Sequence, residues 1–103
     1  MNSELKDYII RLTGKQKALL LLACDKPVSS TYKDVQESIG VDQFALSGII
    51  GTLLRDKYND TSILRLFNRD DKGQNLYVVN EDVVTKYELK DFLVYLGNVS
   101  KLS

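Results

Sequence analysis

The fold is decided by residues 32–42, which read YKDVQESIGVD. Val35 and Ile39 stand four positions apart, so they share one face of a short helix. Gly40 follows directly, and glycine readily adopts the positive φ that ends a helix and reverses the chain. Asp42 is a favourable N-cap for a further helix. The stretch therefore predicts two helices joined by a tight turn, the second of which begins at Asp42.

Hydrophobic periodicity extends this unit in both directions. Two helices precede it. The second is expected to begin with a capping box of Thr13 and Gln16, and it is apolar nearly all round, which predicts a central position. After residue 62 the period changes from helical to alternating, which predicts a β-hairpin with its turn at residues 70–73. Asn80 is then expected to cap a last helix. In chain order, the predicted elements are a helix over 3–12, a helix over 13–25, a short helix ending at Ile39, a helix over 42–57, a hairpin over 63–79 and a helix over 81–96.

Length and composition limit the classes of function. A chain of 103 residues with 44% hydrophobic residues predicts one folded domain over residues 1–103. Histidine is absent, which removes the commonest general base and the commonest metal ligand. Cys24 is the single cysteine, so neither an intrachain disulfide nor a multi-cysteine zinc site can form. We expect no catalytic residue, no metal and no cofactor, and a reducing cytoplasm is the expected location.

A membrane partner is not expected either. The longest apolar run, Ala18 to Cys24, is seven residues long. A bilayer needs about 20 such residues.

The order of elements resembles the winged helix-turn-helix family, and its MarR-like branch in particular. Residues 12–23 (LTGKQKALLLLA) resemble the helix that precedes the motif, residues 41–58 (VDQFALSGIIGTLLRDKY) its recognition helix, and residues 63–80 (ILRLFNRDDKGQNLYVVN) its wing. The resemblance implies a mainly α fold with one β-hairpin, in the order α-α-α-α-β-β-α. Residues 12–80 would form the motif and the wing, with flanking helices at 3–12 and 81–96.

The resemblance also implies a function, which is the binding of double-stranded DNA by a transcriptional regulator. Helix 42–57 would enter the major groove and the wing would touch the backbone. By position, Gln43 would pair with adenine and Phe44 would contact a thymine methyl group. The other groove-facing residues would be Ser47, Gly48 and Thr52, with Gly51 at the edge. The implied phosphate contacts are Lys33, Arg55, Arg65, Arg69 and Lys72.

The charges leave a second hypothesis open. The chain carries 14 basic and 14 acidic residues, whereas phosphate binding is largely electrostatic. The predicted recognition helix has no lysine or arginine between Asp42 and Leu54, and Asp70 and Asp71 stand at the wing tip. The alternative is a protein–protein interaction module on the same scaffold, in which the uncharged helix docks on a protein partner.

Two local questions also stay open at this point. Alternation in the wing places Leu64 and Leu66 on one face, so that Phe67 is either exposed beside Arg65 and Arg69 or packed on the last helix. The apolar stripes of helices 3–12 and 81–96 either complete the core of one chain or form a homodimer interface. We favour the homodimer.

Overall fold

The computed structural model describes residues 1–102, with side chains through residue 99. The described residues form five helices and one antiparallel hairpin, and their order confirms the predicted one. The elements are α1 (Ser3–Arg11), α2 (Gly14–Asp25), α3 (Lys33–Ile39), α4 (Gln43–Arg55), β1 (Leu64–Arg69), β2 (Asn75–Val79) and α5 (Lys86–Leu102).

The central element is α2, which packs against α3, α4, α5 and β2. Its Leu19, Leu20 and Ala23 are completely buried. Thr13 and Gln16 form the capping box that starts it: Thr13 Oγ1 accepts from the Gln16 backbone N–H at 3.1 Å, and Gln16 Oε1 accepts from the Thr13 backbone N–H at 2.8 Å. The predicted start and the central position of this helix are confirmed.

The turn between α3 and α4 is the one that the sequence predicts. Gly40 has φ of 80°, in the left-handed region. Asp42 caps α4, because its Oδ1 accepts a hydrogen bond of 2.8 Å from the Ala45 backbone N–H. Leu46 and Leu53 then anchor α4 in the core. The acid at the start of α4 is therefore engaged in the helix itself.

The hairpin departs from strict alternation. Leu64 is buried, but Leu66 is 50% exposed and Phe67 52% exposed. A β-bulge between Leu66 and Asn68 leaves Phe67 without a partner on β2. Leu64 and Leu66 therefore do not share a buried face, because only the first residue of β1 is buried and the rest of the strand is exposed. Phe67 is exposed, which is the first of the two alternatives that the sequence left open.

The predicted cap of the last helix is also wrong. The Asn80 side chain is buried, and its Nδ2 donates to the Ser62 carbonyl at 3.0 Å while its Oδ1 accepts from the Asp82 backbone N–H at 3.1 Å. These bonds hold a turn after β2 instead of a helix start, and Val84 anchors that turn in the core.

The last helix consequently begins five residues later than expected. Thr85 caps α5, since its Oγ1 accepts from the Glu88 backbone N–H at 3.2 Å. The helix also continues through Gly97 to Leu102, so both ends of the predicted range 81–96 are corrected.

The two terminal helices differ in what they bury. The stripe of α1 lies wholly in the core of the single chain, with Leu5, Tyr8, Ile9 and the following Leu12 all buried. The Tyr8 hydroxyl donates to the Asp56 carbonyl at 2.8 Å, and burial raises the pKa of Tyr8 to about 12. In α5, Leu89 and Leu93 are buried, whereas four apolar residues on its outward side, Tyr87, Val94, Tyr95 and Val99, are exposed next to Glu88 and Asp91.

Candidate nucleic-acid interface

The outward face of α4 is uncovered. Leu46, Ile50 and Leu53 turn into the core, and the opposite side of the helix faces solvent. Phe44 is 89% exposed, more than any other large hydrophobic side chain whose exposure the structure describes. The predicted groove-facing residues that are exposed are Gln43, Phe44, Ser47, Gly48 and Thr52. The structure therefore leaves the predicted base-reading positions accessible.

Thr52 differs from the other four residues because its hydroxyl is already engaged. Thr52 Oγ1 donates to the Ile49 carbonyl at 2.7 Å and accepts from Gln16 Nε2 at 2.9 Å. Gln16 belongs to the start of α2, so Thr52 lies where α2 and α4 meet. The hydroxyl thus links α4 to the first turn of α2, and its single proton is already donated.

A groove of about 470 Å³ runs between α4 and the hairpin. Ser47, Gly51 and Arg55 line one wall, and Ser30 and Asn75 are among the residues of the other. A Cβ at Gly51 would lie 3.2 Å from Arg55 Nη1, so the missing side chain makes room for the guanidinium against the helix. Gly51 thus positions Arg55 at the mouth of this groove.

The hairpin holds one of its arginines through a polar chain. Arg69 Nε donates to Asn75 Oδ1 at 3.2 Å across the two strands, and Asn75 Nδ2 donates to the Tyr77 hydroxyl at 3.4 Å. Arg65 is exposed on the same strand, and its Nη1 lies 3.4 Å from the Leu66 carbonyl. Asn75 was not among the predicted site residues, since its contact with Arg69 depends on the cross-strand register.

The acids at the wing tip have different roles. Asp70 Oδ1 accepts from the backbone N–H groups of Lys72 and Gln74, both at 2.9 Å, and so shapes the turn. Gly73 completes the turn with φ of 78°, as the sequence predicts. Asp71 and Lys72 are exposed. The carboxylate of Asp70 is therefore a structural element of the tip.

The predicted cations are spread over α3, the end of α4 and the hairpin. Arg55 lies at the far end of α4 from Gln43, about 18 Å away at a rise of 1.5 Å per residue. Lys33 opens α3, and the remaining three cations lie on the hairpin. Within the part of the chain whose side chains are described, the ion pairs are those of Lys26 with Asp34, Lys90 with Asp25 and the amino terminus with Glu88. None of the five predicted phosphate contacts is neutralised by such a pair.

One of these pairs affects the field near Lys33. Lys26 Nζ donates to Asp34 Oδ2 at 2.6 Å, and this hydrogen bond lowers the pKa of the Asp34 carboxyl and raises that of Lys26. Asp34, which is next to Lys33 in the chain, thus forms its ion pair with Lys26.

Other chemistries find little support in the described residues. Across residues 1–102 there is no group of three or more residues able to hold a metal ion, and none of the described helices is long and apolar enough to cross a membrane. Burial raises the pKa of the Cys24 thiol to about 11, so the thiol stays protonated at neutral pH.

The helices α2, α3 and α4, with the hairpin beside them, define a winged helix-turn-helix domain. The predicted winged helix-turn-helix fold is confirmed by solved structures that superpose on nearly the whole chain.

Three of those structures illustrate the likeness. The adhesin competence repressor AdcR from Streptococcus pyogenes is 16% identical, with a TM-score of 0.64 over 94% of this chain and 66% of its own. ZitR from Lactococcus lactis, solved in complex with DNA, is 14% identical, with a TM-score of 0.61 over 89% of this chain and 60% of its own. MepR, a transcription regulator of the Staphylococcus aureus multidrug efflux pump MepA, is 11% identical, with a TM-score of 0.61 over 96% of this chain and 72% of its own.

These identities are low, so the likeness shows the fold alone. The chain spans less than two thirds of the AdcR and ZitR chains. No protein-family profile and no curated protein sequence matches it.

Proposed function

We propose that this protein binds double-stranded DNA as a transcriptional regulator, with α4 in the major groove and the hairpin against the backbone. The observation that carries the proposal is the free outward face of α4, on which Gln43, Phe44, Ser47 and Gly48 are exposed. A helix with its side chains is about 10–12 Å wide, which fits a major groove about 12 Å wide. ZitR, which shares this fold, is solved in complex with DNA, and this supports DNA binding by the present chain.

The backbone contacts would come from the five unpaired cations around α4. Lys33 would reach the strand on one side of the groove, while Arg65, Arg69 and Lys72 would follow the backbone along the hairpin. Arg55 would bind at the mouth of the groove between α4 and the hairpin. Five neutralised phosphates give a slope of log K against log salt of about −4.5, a modest salt dependence.

A second copy of the chain would pack on α5. The apolar stripe of α1 is buried in the core of the single chain. Of the two terminal helices, α5 therefore exposes more apolar residues, among them Tyr87, Val94 and Tyr95. Phe92 stacks on Tyr95 with ring centroids 6.3 Å apart, which extends this surface. A two-fold axis beside α5 would set two copies of α4 about 34 Å apart, one DNA turn.

The test is a gel-shift selection from a random-sequence duplex pool, with the mass of the protein measured in parallel. We expect retention of DNA at low salt and enrichment of a recurring two-fold symmetric motif. Failure to retain any duplex at low salt would overturn the proposal.

A second candidate function is protein–protein interaction, favoured by the neutrality of the face that α4 exposes. Phe44 is a large apolar group in water, and no charged residue stands between Gln43 and Leu54. Aromatic side chains of this kind are common anchors in protein interfaces. If the selection retains no DNA, this candidate takes first place.

A further inference from the structure

The exposed part of α4 lacks the residues that usually read guanine. Arginine or lysine bonded to guanine O6 and N7 is the commonest specific contact in the major groove. From Gln43 to Leu54 the helix carries no cation, and Arg55 lies against Gly51 at the opposite end. The end of a recognition helix that contacts base edges is its N-terminal end. Guanine therefore lacks its commonest readers at that end of α4.

The residues at the N-terminal end of α4 are suited to A·T pairs. Gln43 offers an amide, which can bond to adenine N6 and N7 at the same time. Phe44 offers an apolar ring that is 89% exposed, and it is absent from the aromatic pairs of the described residues, which are Tyr8 with Tyr58 and Phe92 with Tyr95. The C5-methyl group of thymine is the apolar group of the major groove.

The surface one turn further along α4 allows a close approach. A Cβ at Gly48 would have no neighbour within 4 Å, so nothing on the protein occupies the space beside Phe44. The floor of the DNA major groove can therefore approach the backbone of α4 at Gly48. This close approach brings the Phe44 ring to the base edges.

We propose that α4 recognises A·T-rich DNA through its thymine methyl groups, and that Phe44 is the residue that senses them. This inference rests on the proposed DNA binding and adds the class of sequence that is bound.

Replacing thymine by uracil tests this inference directly, because uracil keeps the hydrogen-bonding groups of thymine and lacks the C5-methyl group. A duplex selected from the random pool is made with thymine or with uracil inside the bound site, and the two dissociation constants are compared by fluorescence anisotropy. We expect about fourfold weaker binding to uracil for each methyl group that Phe44 covers, the factor for one buried methyl-sized group. A duplex with uracil outside the bound site should bind as the thymine duplex does.

Phe44→Ala should bind the thymine and uracil duplexes equally, while Phe44→Leu should keep part of the difference. Ile10→Ala removes an exposed apolar side chain from α1, away from both proposed interfaces, and should keep all of it. Equal binding of thymine and uracil by the unchanged protein, or a site rich in guanine at the positions under α4, would overturn the inference and leave the DNA-binding function intact. Failure to bind either duplex would overturn both.

Discussion

Val28 and Tyr77 exchange two backbone hydrogen bonds, each 2.9 Å long. Val28 precedes α3 and is fully buried, while Tyr77 lies in β2 and lines the groove beside Arg55. The pair fastens the hairpin to the helix-turn-helix, and packing of β1 against α4 adds a second attachment. The hairpin and α4 therefore present one surface of fixed shape, so cations on the hairpin act at fixed distances from α4.

The fixed hairpin makes the effect of its arginines predictable. Arg65→Ala combined with Arg69→Ala should weaken binding to all DNA sequences by a similar factor, because phosphate contacts carry no sequence information. Loss of two phosphate contacts should make the salt slope shallower by about 1.8. Fluorescence anisotropy over a range of salt concentrations measures both effects.

The matched control is Lys6→Ala combined with Arg11→Ala, which removes two exposed positive charges from α1. It should leave the salt slope nearly unchanged. Equal slopes for the hairpin variant and the unchanged protein would show that the hairpin does not touch the backbone.

Gln43 should affect sequence preference. Gln43→Ala removes the amide that would bond to adenine, and should reduce discrimination at one base pair by about 1–3 kcal/mol. Titrations of single-base variants of the selected site provide the measurement, with Asn98→Ala on α5 as the control. An unchanged preference at every position would remove Gln43 from the reading surface.

Two glycines should respond to alanine with opposite signs. Gly40 has φ of 80°, where a Cβ costs about 1–2 kcal/mol, so Gly40→Ala should lower the free energy of unfolding. Gly48 lies inside α4 with open space around it, so Gly48→Ala should raise that free energy by about 0.5–1 kcal/mol. Urea unfolding followed by circular dichroism measures both, and a shift in the same direction would contradict the assignment of the turn.

The outward face of α5 should control the oligomeric state. We expect the protein to elute as a dimer, and Val94→Lys combined with Tyr95→Lys should convert it to a monomer by placing charges in the interface. Phe67→Lys alters an equally exposed apolar residue on the hairpin and should remain dimeric. A monomeric mass for the unchanged protein at high concentration would refute the α5 interface.

The features that the sequence predicts well are those fixed by neighbours in the chain. The capping box of Thr13 and Gln16, the left-handed Gly40 and the cap at Asp42 each depend on residues at most three positions apart. Their hydrogen bonds form as soon as the helix does, so the pattern and the structure agree.

The features that the sequence misses depend on distant partners. Asn80 donates a hydrogen bond to the Ser62 carbonyl, 18 positions away. This bond holds Asn80 in a turn, although asparagine is also a favourable helix N-cap. Gln16 bonds to Thr52 across 36 positions, and this takes up a hydroxyl predicted to read bases. The bulge at Phe67 depends on the cross-strand register, which alternation alone does not fix.

The exposed face of α4 is the centre of the proposed DNA interface, and its most direct test is a titration of ¹⁵N-labelled protein with the selected duplex, followed by amide chemical shifts. We predict that the shifts that move most belong to residues 43–52 and to the hairpin, with α1 nearly unaffected. Amide shifts that change along α1 or α5 while those of α4 stay in place would contradict the account.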